Sequence, residues 1–256
     1  MKRTLELPAF DNGIIFGPPS MAKQDVYTTS TTQKYELGTK LYLDSQRIYR
    51  YGLNGATQLA INLMTSSAAE VTDHKQTTQT GHAWAVGDKS GTVLISGTTT
   101  VADNEWAGGY MYVDKANITS GAYKILACHQ TAATIVQVEL ETPIRTAIAV
   151  TDDVTIKPSR WSKVVVAATT IIGASSGVPN VVVPANSYGW LQTGGPCPIT
   201  VDTGETVVIG ETVGYPATIS VAGACGVVAV TDETWGTVMS VGAATLPALV
   251  YLTLDS

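Results

Sequence analysis

Positive charge is missing from a large part of this sequence. Residues 164–256 contain no Lys or Arg and six acidic residues, whereas residues 1–163 hold 15 basic and 15 acidic residues. Only 14% of the 256 residues are charged. Because an acidic surface repels the phosphate backbone of nucleic acids, we expect no nucleic-acid partner, least of all for the C-terminal third.

Long apolar runs are also missing. Met1-Lys2-Arg3 is not followed by the continuous apolar stretch of a secretory signal peptide. No stretch approaches the roughly 18 apolar residues that cross a bilayer as a helix. We therefore expect a protein that is made in the cytoplasm and has no membrane partner.

Cysteine is scarce and is not arranged in a known pattern. Cys128, Cys197 and Cys225 are an odd number of thiols without CxxC spacing. In a reducing cytoplasm such residues are expected to be free, partly buried thiols. A disulfide between Cys197 and Cys225 is the alternative.

Catalytic and metal-binding motifs are absent as well. The sequence has neither a GxSxG nucleophile motif nor a glycine-rich phosphate loop. Its three histidines are His74, His82 and His129. His129 adjoins Cys128, but neighbouring residues of a strand point to opposite faces and would not share a metal. We therefore assign no catalytic, cofactor-binding or metal-binding residues, and we expect neither enzymatic activity nor a small-molecule substrate.

One motif does suggest an enzyme. Asp202-Thr203-Gly204 follows an apolar stretch, as in the retroviral type of aspartic protease, where two such loops share one proton across a dimer. Those enzymes have Ala or Ser after the glycine, and this chain has Glu205. The simpler interpretation is a tight hairpin turn between arms at 199–201 and 207–209. A dimeric protease using Asp202 is kept as the less favoured alternative.

The residues that are abundant favour β-structure. Thr and Val, branched at Cβ, suit a pleated strand, and the 24 Gly and 11 Pro are spread along the chain as turn signals. These features predict an all-β protein of β-barrel or β-sandwich sub-domains. In the strand predicted at 135–140, Gln137 and Glu139 should point outward. Further strands are predicted at 91–97, 109–114, 123–126, 164–166, 181–183, 206–209, 226–230 and 249–254.

Composition along the chain predicts three parts. Residues 1–34 are rich in turn and polar residues and are expected to form an extended N-terminal arm. Residues 35–168 should form a first β domain, with one short helix near 56–66 where Leu59, Ala60, Leu63 and Met64 recur at helical spacing. Residues 169–256, after a Gly/Ser-rich stretch, should form a second, acidic β domain.

The tryptophans are spread evenly instead of clustering. Stacking platforms for bases or sugars group their aromatic residues, so these side chains are expected to be core or interface anchors. A carbohydrate-binding module would need a cleft lined by one of them. The five residues are Trp84, Trp106, Trp161, Trp190 and Trp235.

Several segments, in this order along the chain, resemble a group of decoration (cement) proteins found on the heads of tailed phages. None of them is a catalytic motif. The segments are LGT at 37–39, RIYRY at 47–51, GATQLA at 55–60, AGGYMYV at 107–113, YKI at 123–125, YGWLQTGGP at 188–196 and YLTL at 251–254.

The resemblance implies a structural virion protein that binds the exterior of an assembled capsid. Its partners would be the shell of major capsid protein and other copies of itself, as a homotrimer, with the N-terminal segment running over the capsid. Contacts across capsomer boundaries would stabilise the shell by mass action on the assembled state. A receptor-binding tail or fibre component is the alternative of the same class, although the sequence has neither repeats nor coiled-coil heptads.

Overall fold

The computed structural model describes residues 14–16, 24–43, 46–114, 121–216, 218–229 and 232–255. Strands account for 42% and helix for 1% of the structure, and the sheets are curled and almost entirely antiparallel. The prediction of an all-β protein is therefore confirmed. Within the described ranges, one 3-10 turn lies at Thr72–His74, and no helix there has the length and apolarity to span a bilayer.

Seventeen strands are found in the described ranges. In chain order they are β1 (Ile14–Phe16), β2 (Lys40–Tyr42), β3 (Ile48–Leu53), β4 (Thr65–Ser66), β5 (Thr77–Thr78), β6 (Ser90–Leu94), β7 (Tyr110–Asp114), β8 (Ala122–Ala132), β9 (Ile135–Leu140), β10 (Asp153–Lys157), β11 (Val165–Val166), β12 (Ser175–Pro179), β13 (Tyr188–Thr200), β14 (Thr212–Gly214), β15 (Gly226–Val227), β16 (Thr234–Ser240) and β17 (Pro247–Thr253).

The chain divides into two compact units at places other than those predicted. The larger unit comprises residues 1–68 and 160–256, and the smaller unit comprises residues 69–159. The predicted boundary at 169 is corrected because β13, which follows it, pairs with β3 from the N-terminal part of the chain. Likewise β4 pairs with β11 and β12. The smaller unit is thus an insertion between strands of one sheet.

The larger unit is one sheet built around the long strand β13. The strand order is β1-β2-β3-β13-β17-β16-β14-β15, with β12, β4 and β11 branching from β13. β13 pairs antiparallel with β3 through its first half and with β17 through its second half. Ile199 of β13, Val250 of β17 and Trp235 of β16 are fully buried in one apolar cluster, and burial of such side chains stabilises the fold by roughly 2 kcal/mol each.

The smaller unit is a six-stranded sheet in the order β5-β10-β7-β8-β9-β6. Val136 and Val138 of β9 are buried, while Gln137 is half-buried and Glu139 exposed, as the alternation predicted. Gln79 covers the free edge of β6, because its side chain accepts a hydrogen bond from Leu94 N at 2.8 Å. Such cover prevents the edge from pairing with another chain.

The helix predicted near 56–66 is wrong. Leu59 N donates to Val183 O at 2.9 Å and Met64 N donates to Gly223 O at 2.7 Å, so these groups bond across the unit and not along a helix. Asn62 has a φ of 61°, which breaks a right-handed helix. Leu59 and Met64 are buried, but the segment that contains them is irregular.

The predicted N-terminal arm falls only partly within the described residues; residues 1–13 and 17–23 lie outside them. The last part of the arm, 24–34, belongs to the larger unit and is not an independent extended segment. Gln24 and Val26 are buried, and Ser30 exchanges two backbone hydrogen bonds with Tyr188 of β13. β1 pairs in parallel with β2.

Two of the predicted strands are absent, and the longest strand was missed. Residues 181–183 and 206–209 are not strands, although Val183 makes one bridge with Leu59. β13 escaped prediction because it contains glycines and prolines that normally interrupt strands. Gly195 is needed there, since a Cβ would overlap Gln46 O.

Candidate functional site

Asp202 is a buried structural carboxylate in this fold. It is 2% exposed, and its two oxygens accept hydrogen bonds from Ser220 N at 2.9 Å and Val221 N at 2.6 Å. A turn follows, with Glu205 N donating to Asp202 O, but the predicted hairpin arms do not pair: Val201 bridges to Cys225. Both oxygens already bind backbone donors of the same unit, so the carboxylate is engaged in holding the 218–224 segment.

The three cysteines are free and buried, and the alternative of a Cys197–Cys225 disulfide is not what the structure contains. Burial raises the pKa of the Cys197 and Cys225 thiols to about 12 and also raises the pKa of the Cys128 thiol. The thiolate is the nucleophilic form of cysteine. All three side chains therefore act as small apolar residues near neutral pH.

The histidines lie apart from one another in the smaller unit. His129 Nδ1 lies 2.6 Å from Asp103 Oδ1 on the surface, His82 Nδ1 lies 2.6 Å from Thr92 Oγ1, and His74 packs edge-on against Trp106. Within the described part of the chain, no group of three or more His, Cys, Asp or Glu residues is placed to hold a metal ion.

A shallow cleft of about 260 Å³ lies beside His129. Asp103, Gln137 and Glu139 contribute to its lining, and no tryptophan does. Four tryptophans are 0–2% exposed, in agreement with the core role predicted for them. The cleft therefore lacks the aromatic platform that a carbohydrate-binding module was expected to show.

The most unusual surface of the described residues is the outer face of three neighbouring strands in the larger unit. Along β17, residues alternate between buried and exposed. Leu249 and Tyr251 point outward and are 36% and 39% exposed. On β16, Met239 is 44% exposed beside them, and on β13 Pro196 lies opposite Tyr251. Apolar side chains are thus adjacent across all three strands.

We call this surface the uncharged face, because none of its outward residues carries a charge. An exposed face of an antiparallel sheet is normally polar, yet here hydroxyl groups are the only polar side-chain groups. The face consists of Pro196, Pro198 and Thr200 on β13, Thr237, Met239 and Ser240 on β16, and Pro247, Leu249, Tyr251 and Thr253 on β17.

Two further apolar side chains, Val208 and Ile209, lie beside the β16 edge of the uncharged face, and we call them the apolar rim. Val241 and Leu246, which flank β16 and β17, are 55% and 57% exposed but do not belong to it, because Leu246 lies opposite the buried Val201. Val208 and Ile209 are 56% and 69% exposed in a turn whose Gly210 N donates to Val238 O of β16 at 2.8 Å. The rim adds apolar surface beside the edge of β16.

The two prolines on β13 are compatible with strand pairing. A proline nitrogen cannot donate, so proline is tolerated where a strand N–H would point away from its partner. Thr200 has the same orientation as Pro196 and Pro198, and its N–H donates away from β17, to Asn62 O at 2.9 Å. The prolines therefore remove no hydrogen bond to β17 and leave rigid apolar rings on the face.

The acidic residues of 164–256 are bound within the larger unit. Each carboxylate accepts at least one hydrogen bond from the chain, and most of these bonds come from backbone N–H groups. The partners are Ser220 and Val221 for Asp202, Val227 for Glu205, Val208 for Glu211, Ala229 for Asp232, Ser175 for Glu233, and Arg50 with Thr193 for Asp255. The acidic bias of the sequence thus serves local structure.

The sequence contained a partial signal of the uncharged face. The strand at 249–254 was predicted, but both of its faces are apolar: Leu249 and Tyr251 alternate with Val250 and Leu252. Alternation alone could not tell which set is buried. β16, which provides Met239, was not predicted at all.

Comparison with known proteins does not assign the chain to a family. No protein-family model, curated protein or solved structure matches the chain. The resemblance of short segments to head decoration proteins therefore stays a prediction, and the function is argued from the residues and surfaces described above.

Proposed function

We propose that the protein is a structural component of a tailed-phage virion, which binds the outer surface of the capsid and stabilises the shell. The observation that carries the proposal is the uncharged face, a surface suited to the contacts between protein subunits in an assembled particle. Contiguous exposed apolar surface of this kind is characteristic of sites that are covered by another protein. Residues depleted in charge and enriched in Tyr and Met are typical of the centre of such contacts.

The use of the ionisable residues agrees with a structural role. Asp202, which most resembles a catalytic residue in sequence, is bound by two backbone N–H groups. The Cys197 and Cys225 thiols have a pKa of about 12 because they are buried. In this proposal these groups maintain a stable β scaffold, and the exposed surface makes the contacts of the virion.

Stabilisation of the shell follows from selective binding. A protein that binds assembled capsomers and not separate subunits shifts the equilibrium towards assembly, by about 2.7 kcal/mol per site when its free concentration is 100 times Kd. Repeated over the sites of a shell, this free energy opposes the pressure of packaged DNA. No catalytic step is needed.

The experiment that tests the proposal is co-sedimentation of the purified protein with DNA-free capsid shells of the phage that encodes it. We expect saturable binding and a higher thermal midpoint of the shells in calorimetry. Absence of binding to expanded shells, with recovery on purified tails instead, would contradict the capsid proposal and favour the tail alternative.

A deletion variant sharpens this experiment. Residues 24–34 cannot be removed without loss of the buried Gln24 and Val26, so the deletion should end at residue 13. If the N-terminal segment contacts the capsid, the deletion of 1–13 should leave a folded protein with weaker binding to shells. Undiminished binding would place the capsid contact elsewhere.

A further inference from the structure

We infer that the uncharged face is the surface through which copies of this chain bind one another. The inference rests on the proposed function, because that proposal uses this face as a protein contact. It adds the identity of the partner, which is a second copy of the chain. Three properties of the face support it, namely its charge, its area and its shape.

The first property is charge. The outward residues of the uncharged face carry none, so the face provides no electrostatic pattern with which to select a charged partner. A second copy presents the same uncharged surface. The nearest acid on the turn of the apolar rim, Glu211, accepts a hydrogen bond from Val208 N at 3.0 Å. Two copies can therefore meet without placing a carboxylate inside the contact.

The second property is area. The five apolar side chains of the centre and the rim, namely Met239, Leu249, Tyr251, Val208 and Ile209, are between 36% and 69% exposed. A large side chain has a full area of roughly 200 Å², so these five expose roughly 500 Å² together. A stable protein–protein contact buries about 800 Å² on each partner. With the Thr and Pro side chains between them, the surface reaches that size.

The third property is shape. The face is the outer surface of paired strands, and β-sheets pack face to face at about 10 Å when side chains from both sheets interdigitate. A second copy brings a sheet of the same twist and the same residues. Contacts between identical patches are self-complementary and are the commonest basis of homo-oligomers. Pro196 and Pro198 add rigid surface that loses little entropy on contact.

The test is the oligomeric state of the full-length protein in solution, without capsids, measured by light scattering after size exclusion over a range of concentrations. The variant is Leu249→Lys with Tyr251→Lys. Both residues point outward, so the core should be unaffected. We expect an oligomer for the unmodified chain and association weakened by at least about 100-fold for the variant, because two anchors are lost and charge is placed in the contact.

The smaller unit offers a matched control. Leu126 and Tyr110 are the same residue types and are 46% and 47% exposed on strands β8 and β7. The double variant Leu126→Lys with Tyr110→Lys should keep the oligomeric state of the unmodified chain. Equal loss of association in both variants would overturn the assignment of the contact to the uncharged face.

Folding of the variants is checked by circular dichroism and thermal unfolding. If the lysine variant does not fold, Leu249→Thr with Tyr251→Thr replaces it, since Thr suits exposed strand positions. An unmodified chain that stays monomeric at all concentrations, or a threonine variant that associates as the unmodified chain does, would overturn the inference.

Shell binding of the same variant separates this inference from the proposed function. A variant that keeps its oligomeric state but no longer binds shells would show that the capsid covers the face. That result would overturn the inference and support the proposed function. An oligomer that depends on the face and binds no shells would support the inference and contradict the proposed function.

Discussion

The outer strand faces of the two units carry different side chains. In the smaller unit the outward strand residues include Lys124, Glu139 and Lys157. In the larger unit the uncharged face has no charged residue among its ten outward positions. Charged side chains keep an exposed sheet soluble and prevent association. The uncharged face and the outer strand face of the smaller unit are therefore suited to different surroundings.

The units also differ in where their charges are held. The Arg50–Asp255 pair of the larger unit is only 22% and 17% exposed, and Arg50 stacks on Trp161. In the smaller unit the Lys124–Glu141 pair is 34% and 50% exposed, and His129–Asp103 is 65% and 73% exposed. The Arg50–Asp255 pair is thus shielded from solvent, whereas these two pairs of the smaller unit are more exposed. Substitutions in matched pairs can test this difference.

The largest effect is expected at Gly236, in the strand that bears Met239. A Cβ at this position would overlap the Tyr251 carbonyl oxygen, so Gly236→Ala should force β16 away from β17 and destabilise the protein by about 3 kcal/mol. At Gly121 of the smaller unit, no atom of the described residues lies within 4 Å of the corresponding position. Urea unfolding should therefore show little change for Gly121→Ala; equal stability of the two variants would refute the steric argument.

A smaller effect is expected at Asp202. Asp202→Asn places an amide N–H₂ against a backbone N–H in a buried site and should cost about 2 kcal/mol. Asp103→Asn, at the exposed His129 pair, should leave the unfolding midpoint unchanged. The same Asp202 variant tests the protease alternative: peptidase activity in the unmodified chain that disappears in the variant would establish that alternative.

The smallest effect is expected at Asp255, and it depends on pH. Burial tends to raise the pKa of Asp255, but hydrogen bonds from Arg50 and Thr193 outweigh burial and lower the pKa below its ordinary value of 3.8. Because the folded pKa is the lower one, this carboxylate stabilises the fold above about pH 4 and loses that contribution as pH falls through the folded pKa.

Asp255→Asn should therefore reduce the free energy of unfolding by about 1.5 kcal/mol at pH 7 and have a smaller effect at pH 3. Glu141→Gln, which removes the exposed partner of Lys124, should change the free energy of unfolding by less than about 0.5 kcal/mol at either pH. Denaturant titrations at the two pH values measure both. A difference for Asp255→Asn that is as large at pH 3 as at pH 7 would contradict the role assigned to its charge.

Sequence patterns were informative where one strand face is apolar and the other polar. The strand predicted at 135–140 is β9, with Gln137 and Glu139 outward, because period-two alternation reflects a half-buried sheet directly. The pattern misled at 56–66, where helical spacing of Leu59 and Met64 occurs in an irregular segment. Backbone partners as distant as Val183 and Gly223 decide that conformation, and local spacing contains no information about them.

The all-β class was determined by the sequence alone, because β-branched residues and scattered turn residues act locally. The tertiary structure decided the rest: that 69–159 is an insertion, that Gly- and Pro-rich β13 is the central strand, and that Asp202 holds a turn. It also decided that Leu249 and Tyr251, and not Val250 and Leu252, face outward. With both strand faces apolar, only the position of the core in three dimensions selects which one is buried.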